Sequence, residues 1–189
     1  MKMMILIEGI IILTIINNGF VVCGDTEGIP TRYLNVYEHG QAGATEITVD
    51  EYLGTWYDVG VIFPRRLEPS PVLCQWVEST PADADDDIEE VLTVISRRLP
   101  PQKYTAFGKI FGSTLELKYS KSKESTITYE AITYNNGYEM ILRDNDDLMS
   151  SVLMSRNTTA STEAITVFEK LAEEAHGFAH FIDNSECFP

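Results

Sequence analysis

The chain has few basic side chains. Its 189 residues include 14 lysines and arginines against 29 aspartates and glutamates, which gives a formal net charge of -15. Nucleic acids and anionic membrane surfaces attract proteins through clustered positive charge, so this balance argues against both as partners. The hydrophobic fraction of 44% and the charged fraction of 23% are ordinary for a globular protein, and the length indicates one domain or two small ones.

Long apolar runs are also scarce. One apolar stretch lies within residues 1–24, where Glu8 interrupts it. A membrane-spanning helix needs about 20 predominantly apolar residues, and a glutamate inside it would be costly in lipid. Lys2, the short apolar core and the pair Val22 and Gly24 instead fit a secretory signal peptide cleaved after Gly24. We therefore predict a signal peptide over 1–24, a secreted extracellular product and no membrane span.

The chain contains only three cysteines, too few for a scaffold of several disulfides or a thiolate metal cluster. Cys23 falls within the predicted signal peptide; the alternative is a lipidated bacterial anchor, although Val22 is larger than the residue usual before such a cysteine. In an oxidising compartment, Cys74 and Cys187 most simply pair with each other. This bridge would close a loop of about 113 residues, worth roughly 4–5 kcal/mol in the chain-entropy model. Two buried free thiols are the alternative.

The centre of the chain has the pattern of an all-β protein. Residues 25–45 mix glycine, proline and polar residues without periodicity, and they are predicted to form an extended N-terminal arm. Beyond them, short segments rich in Val, Ile, Tyr, Phe and Thr alternate with turn residues. The predicted strands are Thr55–Phe63, Leu73–Ser79, Val91–Arg97, Thr105–Phe111, Thr114–Tyr119, Thr126–Thr133, Tyr138–Arg143 and Met149–Ser155. Eight sequential strands with hairpin-length links predict an up-and-down barrel or a sandwich.

Two features of this region stay ambiguous in the sequence. Strand alternation predicts that one of two sets of side chains points into the barrel. The first set is Ile127, Tyr129 and Ala131, and the second is Thr128, Glu130 and Ile132. The acidic run from Asp83 to Glu90 is predicted to be a solvated loop tip. A calcium site is the alternative, although the run lacks the spacing of a known calcium loop.

One amphipathic helix is predicted after the last strand. Ser161 can cap it, Glu163 lies in its first turn, and Gly177 can end it. Its apolar stripe comprises Ala164, Ile165, Phe168, Leu171, Ala172 and Ala175. We expect this stripe to pack on the wall of the β structure, with a short returning strand over Phe178–Ile182.

Three short motifs resemble those of the lipocalin family. The sequence YLGTWY at 52–57 resembles the opening Gly-x-Trp-Tyr motif, TYNNGY at 133–138 the turn between the sixth and seventh strands, and Ser155-Arg156-Asn157 the motif before the helix. Residues 46–189 are thereby identified as a lipocalin domain. The resemblance implies an eight-stranded up-and-down antiparallel β-barrel, with one C-terminal α-helix on the wall and a short final strand.

Within that family the chain is most similar to the apolipoprotein D and insect bilin-binding branch. Cys74 and Cys187 match one of the two bridges typical there; the other is absent, and Tyr134 stands where an aspartate is usual. The resemblance implies that Trp56 plugs the closed end of the barrel and that Arg156 lies across its ring. The structural motif residues are Gly54, Trp56, Tyr57, Thr133 and Arg156.

The resemblance implies a secreted carrier that holds one small hydrophobic molecule in the barrel. A fatty acid or other lipid, a sterol, a retinoid, a bilin or a carotenoid is a candidate cargo, and no resident cofactor is expected. Aromatic residues that could line the pocket are Tyr104, Phe107, Tyr119, Tyr129 and Tyr138. Each of them could equally be plain wall packing.

The sequence leaves two other classes of function to consider. The first is an interaction protein that presents loops to a receptor or other protein partner, or scavenges a cationic amine through Asp58 and Glu130. The second is an enzyme, which we do not predict because the two remaining cysteines match disulfide positions and the chain has no Ser-His-Asp pattern or phosphate loop.

The three histidines and one sequon complete the candidate sites. His176 and His180 have a spacing that could chelate a metal on a helix, but Gly177 between them is expected to end the helix. His39, His176 and His180 all lie outside the predicted barrel strands, so neither a metal nor a haem site is predicted. Asn157-Thr158-Thr159 is an N-glycosylation acceptor, which makes Asn157 the candidate glycosylation site if the chain is secreted.

Overall fold

The computed structural model describes residues 44–83, 85–120 and 126–188. The predicted signal peptide, nearly all of the N-terminal arm, Cys23 and His39 lie outside these residues, so the predictions for them stay predictions. Within the described part of the chain, no helix is long and apolar enough to cross a membrane.

The described residues form nine strands and two helices. The strands are β1 Gly54–Phe63, β2 Val72–Pro81, β3 Ile88–Ser96, β4 Gln102–Phe111, β5 Thr114–Tyr119, β6 Thr126–Tyr134, β7 Glu139–Asp144, β8 Val152–Ser155 and β9 Phe178–Phe181. The helices are α1 Val49–Tyr52 and α2 Thr162–Glu174. Each strand from β1 to β7 pairs antiparallel with the next along the chain.

The sheet closes on itself through β1. This strand pairs with β2 through its first half and with β8 further along, so the eight strands form a barrel. The final strand, β9, adds to the second half of β1. The predicted up-and-down barrel is therefore confirmed, and the sandwich alternative is excluded.

The largest differences from the predicted strand ends fall at the starts of β3, β4 and β8, and β4 begins at Gln102 rather than at the predicted Thr105. Strand β3 begins at Ile88, three residues before the predicted Val91, because the end of the acidic run pairs with β2 and β4. Strand β8 begins at Val152, whereas Met149 was predicted to start it. The intervening Leu148–Ser150 forms a 3-10 turn, capped where Met149 N–H donates to the Asp147 carboxylate at 3.1 Å.

Helix α2 packs on the outer wall of the barrel. It begins as predicted, with Ala164 N–H donating to Ser161 Oγ at 3.2 Å. Its buried stripe joins Val59, Ile132 and Leu153 in an apolar cluster on the outside of the barrel. After the helix, a Cβ on Gly177 would lie 2.7 Å from the Ile62 side chain, so only glycine fits this approach to the wall.

The C-terminal segment is fastened to the first two strands. Cys74 of β2 and Cys187 are joined by a disulfide, which confirms the predicted bridge. The Asn184 amide adds two hydrogen bonds, accepting from Gln75 N–H at 2.8 Å and donating to the Asp58 carbonyl at 3.1 Å. These contacts fix the backbone at two positions that face the barrel interior.

Candidate functional site

The inner face of the barrel is mostly apolar and aromatic. Its buried residues form one continuous cluster: Ile47, Tyr52, Trp56, Val77, Ile88, Ala106, Leu115, Leu117, Tyr119, Tyr129, Ala131, Met140, Leu142 and Met154. Membership of Tyr129 and Ala131 settles the open choice on β6, because Ile132 instead packs outside under α2. Every strand from β1 to β8 thus contributes at least one buried apolar or aromatic side chain to the inner face.

The closed end of the barrel is plugged by a tryptophan under an arginine. The Trp56 ring is fully buried, and its indole N–H donates to the Tyr52 carbonyl at 2.8 Å. The Arg156 guanidinium carbon lies 3.7 Å from the Trp56 ring centroid. Arg156 also donates to the carbonyls of Thr55, Glu51 and Leu53 at 2.7, 2.7 and 2.9 Å. The positive charge therefore has a full set of partners.

Two carboxylates lie inside the barrel just beyond this plug. Asp58 follows Trp56 by two residues on the same face of β1, and it is 3% exposed. Gln75 Nε2 donates to Asp58 Oδ2 at 2.6 Å. Glu90 of β3 is equally buried, and Tyr52 Oη donates to Glu90 Oε2 at 2.9 Å. Each carboxylate thus has one side-chain donor from the barrel.

Other polar atoms in the same place have no partner. Asp58 Oδ1 and Ser79 Oγ are buried and make no hydrogen bond. Ser79 stands directly opposite Glu90 in the β2–β3 ladder, so its side chain faces the same interior space. A buried hydroxyl or carboxylate oxygen without a partner is costly and uncommon in a folded protein.

The carboxylates also lack a cationic neighbour. No inward position of β1–β8, as far as the structure describes them, is a lysine, arginine or histidine. Burial raises the pKa of Asp58 to about 7, partly offset by the hydrogen bond from Gln75. Burial likewise raises the pKa of Glu90 to about 7; the bond from Tyr52 opposes this, and the charge of Asp58 reinforces it. Near neutral pH the pair therefore retains protons that ordinary carboxylates would have lost.

The structure separates the five aromatic residues predicted to line the pocket. Tyr119 and Tyr129 lie in the inner cluster, and Tyr104 packs against it. Phe107 is 37% exposed and Tyr138 is 57% exposed. Phe107 pairs across the strands with Glu89 and Lys118 on the outer face, and Tyr138 lies in the turn before β7. These two side chains do not reach the interior, which corrects their assignment as ligand contacts.

The candidate carboxylate pair is corrected in the same way. Asp58 does face the interior, but Glu130 lies on the outer face of β6 and forms an ion pair with Arg143 of β7. Glu90 is another buried carboxylate on the inner face, although the acidic run that ends at Glu90 was predicted to be a solvated loop. The alternation Ile88, Glu90, Leu92 on one face of β3 was the signal that could have found it.

None of the remaining predicted site residues belongs to the inner cluster. Asn157 is exposed, as a glycosylation acceptor must be. His176 ends the α2 region with a positive φ of 54°, whereas His180 belongs to β9 and accepts a hydrogen bond from Leu67 N–H at 3.1 Å. The two histidines therefore do not share a helix face. Gly54, Tyr57 and Thr133 of the motifs lie on β1 and β6.

Comparisons with known proteins identify the fold of the chain and nothing finer. No protein-family model and no curated protein matches the chain. Among solved structures, it is similar to Per a 4, a major allergen from cockroaches, with 14% identity, a TM-score of 0.52 and coverage of 79% of this chain and 96% of that one. The siderocalin Ex-FABP, described as functioning through dual ligand specificities, is 16% identical, with a TM-score of 0.49 and coverage of 70% and 93%.

The architecture agrees with the likeness to Per a 4. Eight antiparallel strands close in sequence order, one helix lies on the wall, and a final strand adds to β1. One end of the barrel is plugged by Trp56 beneath Arg156. The chain has the lipocalin fold.

Proposed function

We propose that this protein is a secreted member of the lipocalin family that binds one small, largely hydrophobic molecule inside its barrel. The observation that carries the proposal is the inner face itself. Apolar and aromatic side chains line it from β1 to β8, and the plug at Trp56 closes one end. An eight-stranded barrel of this kind has room for one small ligand.

The disulfide supports the extracellular part of the proposal. Bridges such as Cys74–Cys187 form and persist in oxidising compartments, as expected if residues 1–24 direct the chain to secretion. The finer assignment to the apolipoprotein D and insect bilin-binding branch rests on the sequence motifs and the position of this bridge. A lipid, sterol, retinoid, bilin or carotenoid remains the proposed range of cargo.

We propose binding rather than catalysis. Cys74 and Cys187 are joined, so neither sulfur is available as a thiolate nucleophile. The buried carboxylates lie in an apolar interior, which suits the recognition of a ligand. The fold does not indicate a substrate on which these carboxylates would act as catalysts. A role in contacting a receptor or other protein is compatible with carrying, but no surface contact favours it.

The test is to fill the interior without altering the outside. Ala131 of β6 is fully buried in the inner cluster, whereas Thr128 on the same strand is exposed on the outer face. We expect the purified mature chain to bind the uncharged fluorophore N-phenyl-1-naphthylamine. Ala131→Phe should abolish or strongly weaken that binding, and Thr128→Phe should leave it unchanged.

Overpacking can cost roughly 1–3 kcal/mol of stability, so the fold of each variant is checked by circular dichroism and thermal unfolding. If Ala131→Phe does not fold, Ala131→Leu provides the smaller obstruction. A wild-type barrel that binds neither the fluorophore nor a panel of fatty acids, retinoids and bilins would overturn the proposal. Equal binding by the inner-face and outer-face variants would also contradict it.

A further inference from the structure

We infer that His180 is a pH-sensitive latch that holds the loop between β1 and β2 closed and releases it when the imidazole gains a proton. The loop comprises residues 64–71, between Phe63 at the end of β1 and Val72 at the start of β2. Its release opens the end of the barrel through which a bound molecule would leave. That consequence rests on the proposed function, whereas the latch itself does not depend on it.

The β1–β2 loop lies at the end of the barrel opposite the plug. Strand β1 begins beside the plug residue Trp56 and ends at Phe63, so the loop leaves the strand at the far end. Leu67, in the middle of the loop, packs against an apolar cluster that contains Phe63. Val152 of β8 packs against both that cluster and the cluster of the inner face. The apolar contact made by the loop is therefore continuous with the barrel interior.

The side chain of His180 fastens the middle of this loop. Leu67 N–H donates to His180 Nε2 at 3.1 Å. The imidazole is 8% exposed and meets the Phe63 ring edge to face, with 4.8 Å between the ring centroids. The end of the loop has a separate attachment, because the Pro71 carbonyl accepts from Arg97 N–H at 2.9 Å. Loss of the bond to His180 therefore frees the middle of the loop while its end stays fixed.

The hydrogen bond requires an uncharged imidazole. A backbone N–H can only donate, so Nε2 must be the acceptor nitrogen and the ring proton must lie on Nδ1. When the ring is protonated, Nε2 also carries a hydrogen, and two donors then face each other. The contact between Leu67 and His180 is incompatible with that state. The closed loop therefore selects the neutral histidine, and protonation selects the open loop.

The groups around His180 set the direction of the pH dependence. The charged ones that line the same groove are Arg66 and Glu68 of the loop, which form an ion pair, and Glu169 and Glu173 of α2. The neighbouring cluster residues of β1 are apolar. Burial lowers the pKa of His180, and the Arg65 backbone opposes this. The charge of Arg66 adds to the lowering of this pKa, and that of Glu68 opposes it. The latch is therefore intact above pH about 6.5, the ordinary value for histidine, and is lost as the pH falls below it.

Hydrogen exchange at the Leu67 amide reports the latch directly. The protection factor, which is the intrinsic exchange rate divided by the measured rate at the same pH, is compared by NMR at two pH values. We expect the wild-type value to be at least about tenfold lower at pH about 5 than at pH about 7.5. In His180→Gln an uncharged amide oxygen can accept the bond at either pH, so protection should change by less than about twofold. His176→Gln is the matched control, because His176 is exposed, and it should keep the wild-type pH dependence.

Release of a ligand reports the consequence for the barrel. Stopped-flow fluorescence measures the dissociation rate of N-phenyl-1-naphthylamine, which is uncharged over this interval. We expect wild type to release it at least about threefold faster at pH about 5 than at pH about 7.5. Asp58 and Glu90 also titrate near this range, and His180→Gln keeps both of them. The acceleration that His180→Gln loses therefore belongs to the latch.

The outcomes separate the latch from the proposed function. Leu67 protection that does not fall in wild type, or that falls equally in His180→Gln, overturns the latch whether or not a ligand binds. If protection falls as expected but wild type and His180→Gln release the fluorophore with the same pH dependence, control of the barrel by the latch is overturned. If the fluorophore does not bind, the carrier fails, and the exchange experiment still decides the latch.

A measurement on the wild-type protein covers the case in which His180→Gln does not fold. Nitrogen NMR of the imidazole follows the protonation of His180 Nε2 itself. At high pH this nitrogen should carry no proton, and it should gain one with the same midpoint at which Leu67 loses protection. A proton on Nε2 at high pH, or two different midpoints, would overturn the latch.

Discussion

Trp56 and Asp58 are two residues apart on the same face of one strand, yet their surroundings differ. The Trp56 ring is covered by Arg156, and its indole N–H has an acceptor. Asp58 has one donor, from Gln75, and an oxygen without any partner. The polar groups of the plug, Trp56 and Arg156, all have partners within the protein. Those of Asp58 and Glu90, which we call the acid pair, do not all have one.

This difference separates a structural part of the barrel from a functional one. Stable folds satisfy their buried polar groups, since an unmade hydrogen bond costs about 1–3 kcal/mol. Groups left unpaired at a concave or interior site, with a strongly shifted pKa, are typical of positions kept for a ligand. Substitutions at the plug should therefore damage stability, and substitutions at the acid pair should damage recognition.

The largest expected effect on stability is the loss of the plug. Trp56→Ala removes a fully buried ring and should lower the free energy of unfolding by roughly 3–5 kcal/mol. Trp76→Ala is the matched control: this tryptophan is half-buried on the outer wall, against Phe188. We expect the control to lose less stability in urea denaturation. Equal losses would mean that the plug has no special structural role.

A neutral substitution in the acid pair should raise the stability of the protein at high pH, whereas Trp56→Ala lowers it. Because the pKa of Asp58 is raised to about 7, the folded barrel binds this proton more tightly than the unfolded chain does. Its contribution to stability is full below pH about 3.9 and is lost as pH rises through about 7. Relative to wild type, Asp58→Asn should therefore gain roughly 2–4 kcal/mol between pH 4 and pH 8. Parallel stability profiles for the two proteins would contradict the proposed environment of Asp58.

A smaller effect is expected when the plug keeps its charge but loses its geometry. Arg156→Lys retains the cation, but a lysine cannot reproduce the fork that reaches the carbonyls of Glu51, Leu53 and Thr55. We expect a loss of about 1–2 kcal/mol in denaturant unfolding. Binding of N-phenyl-1-naphthylamine should not change. A variant as stable as wild type would show that the charge alone secures the plug.

The smallest effect is expected on the outer wall. Glu130 and Arg143 form a partly exposed ion pair, and such pairs contribute about 0–1 kcal/mol. Glu130→Gln should therefore change the unfolding temperature little and leave ligand binding intact. A loss of N-phenyl-1-naphthylamine binding in this variant would show that the outer wall, and not only the interior, contributes to ligand binding.

Much of the fold was accessible from the sequence because its signals are local. Short β-rich segments, the turn at Asn135-Asn136-Gly137 and the Ser161 cap each specify their own element. The resemblance of the motifs around Trp56 and Arg156 then gave the barrel its closure and its plug. The Cys74–Cys187 bridge followed from having two cysteines in a predicted secreted chain.

The interior site was less accessible because it depends on which face of each strand turns inward. Aromatic type alone does not distinguish Tyr119, which is inside, from Phe107, which is outside. Glu130 and Glu90 are both strand glutamates, and only the register places Glu90 on the inner face opposite Ser79 and Glu130 on the outer face beside Arg143. The acidity around Glu90 also suggested a solvated loop, although the strand begins at Ile88.

The most direct test of the two buried carboxyls is a carboxyl-carbon NMR titration of Asp58 and Glu90 in the folded barrel. Both carboxyls should titrate near pH 7, in line with the pKa of about 7 that burial gives each of them. Ordinary carboxyl pKa values for both groups would contradict the account.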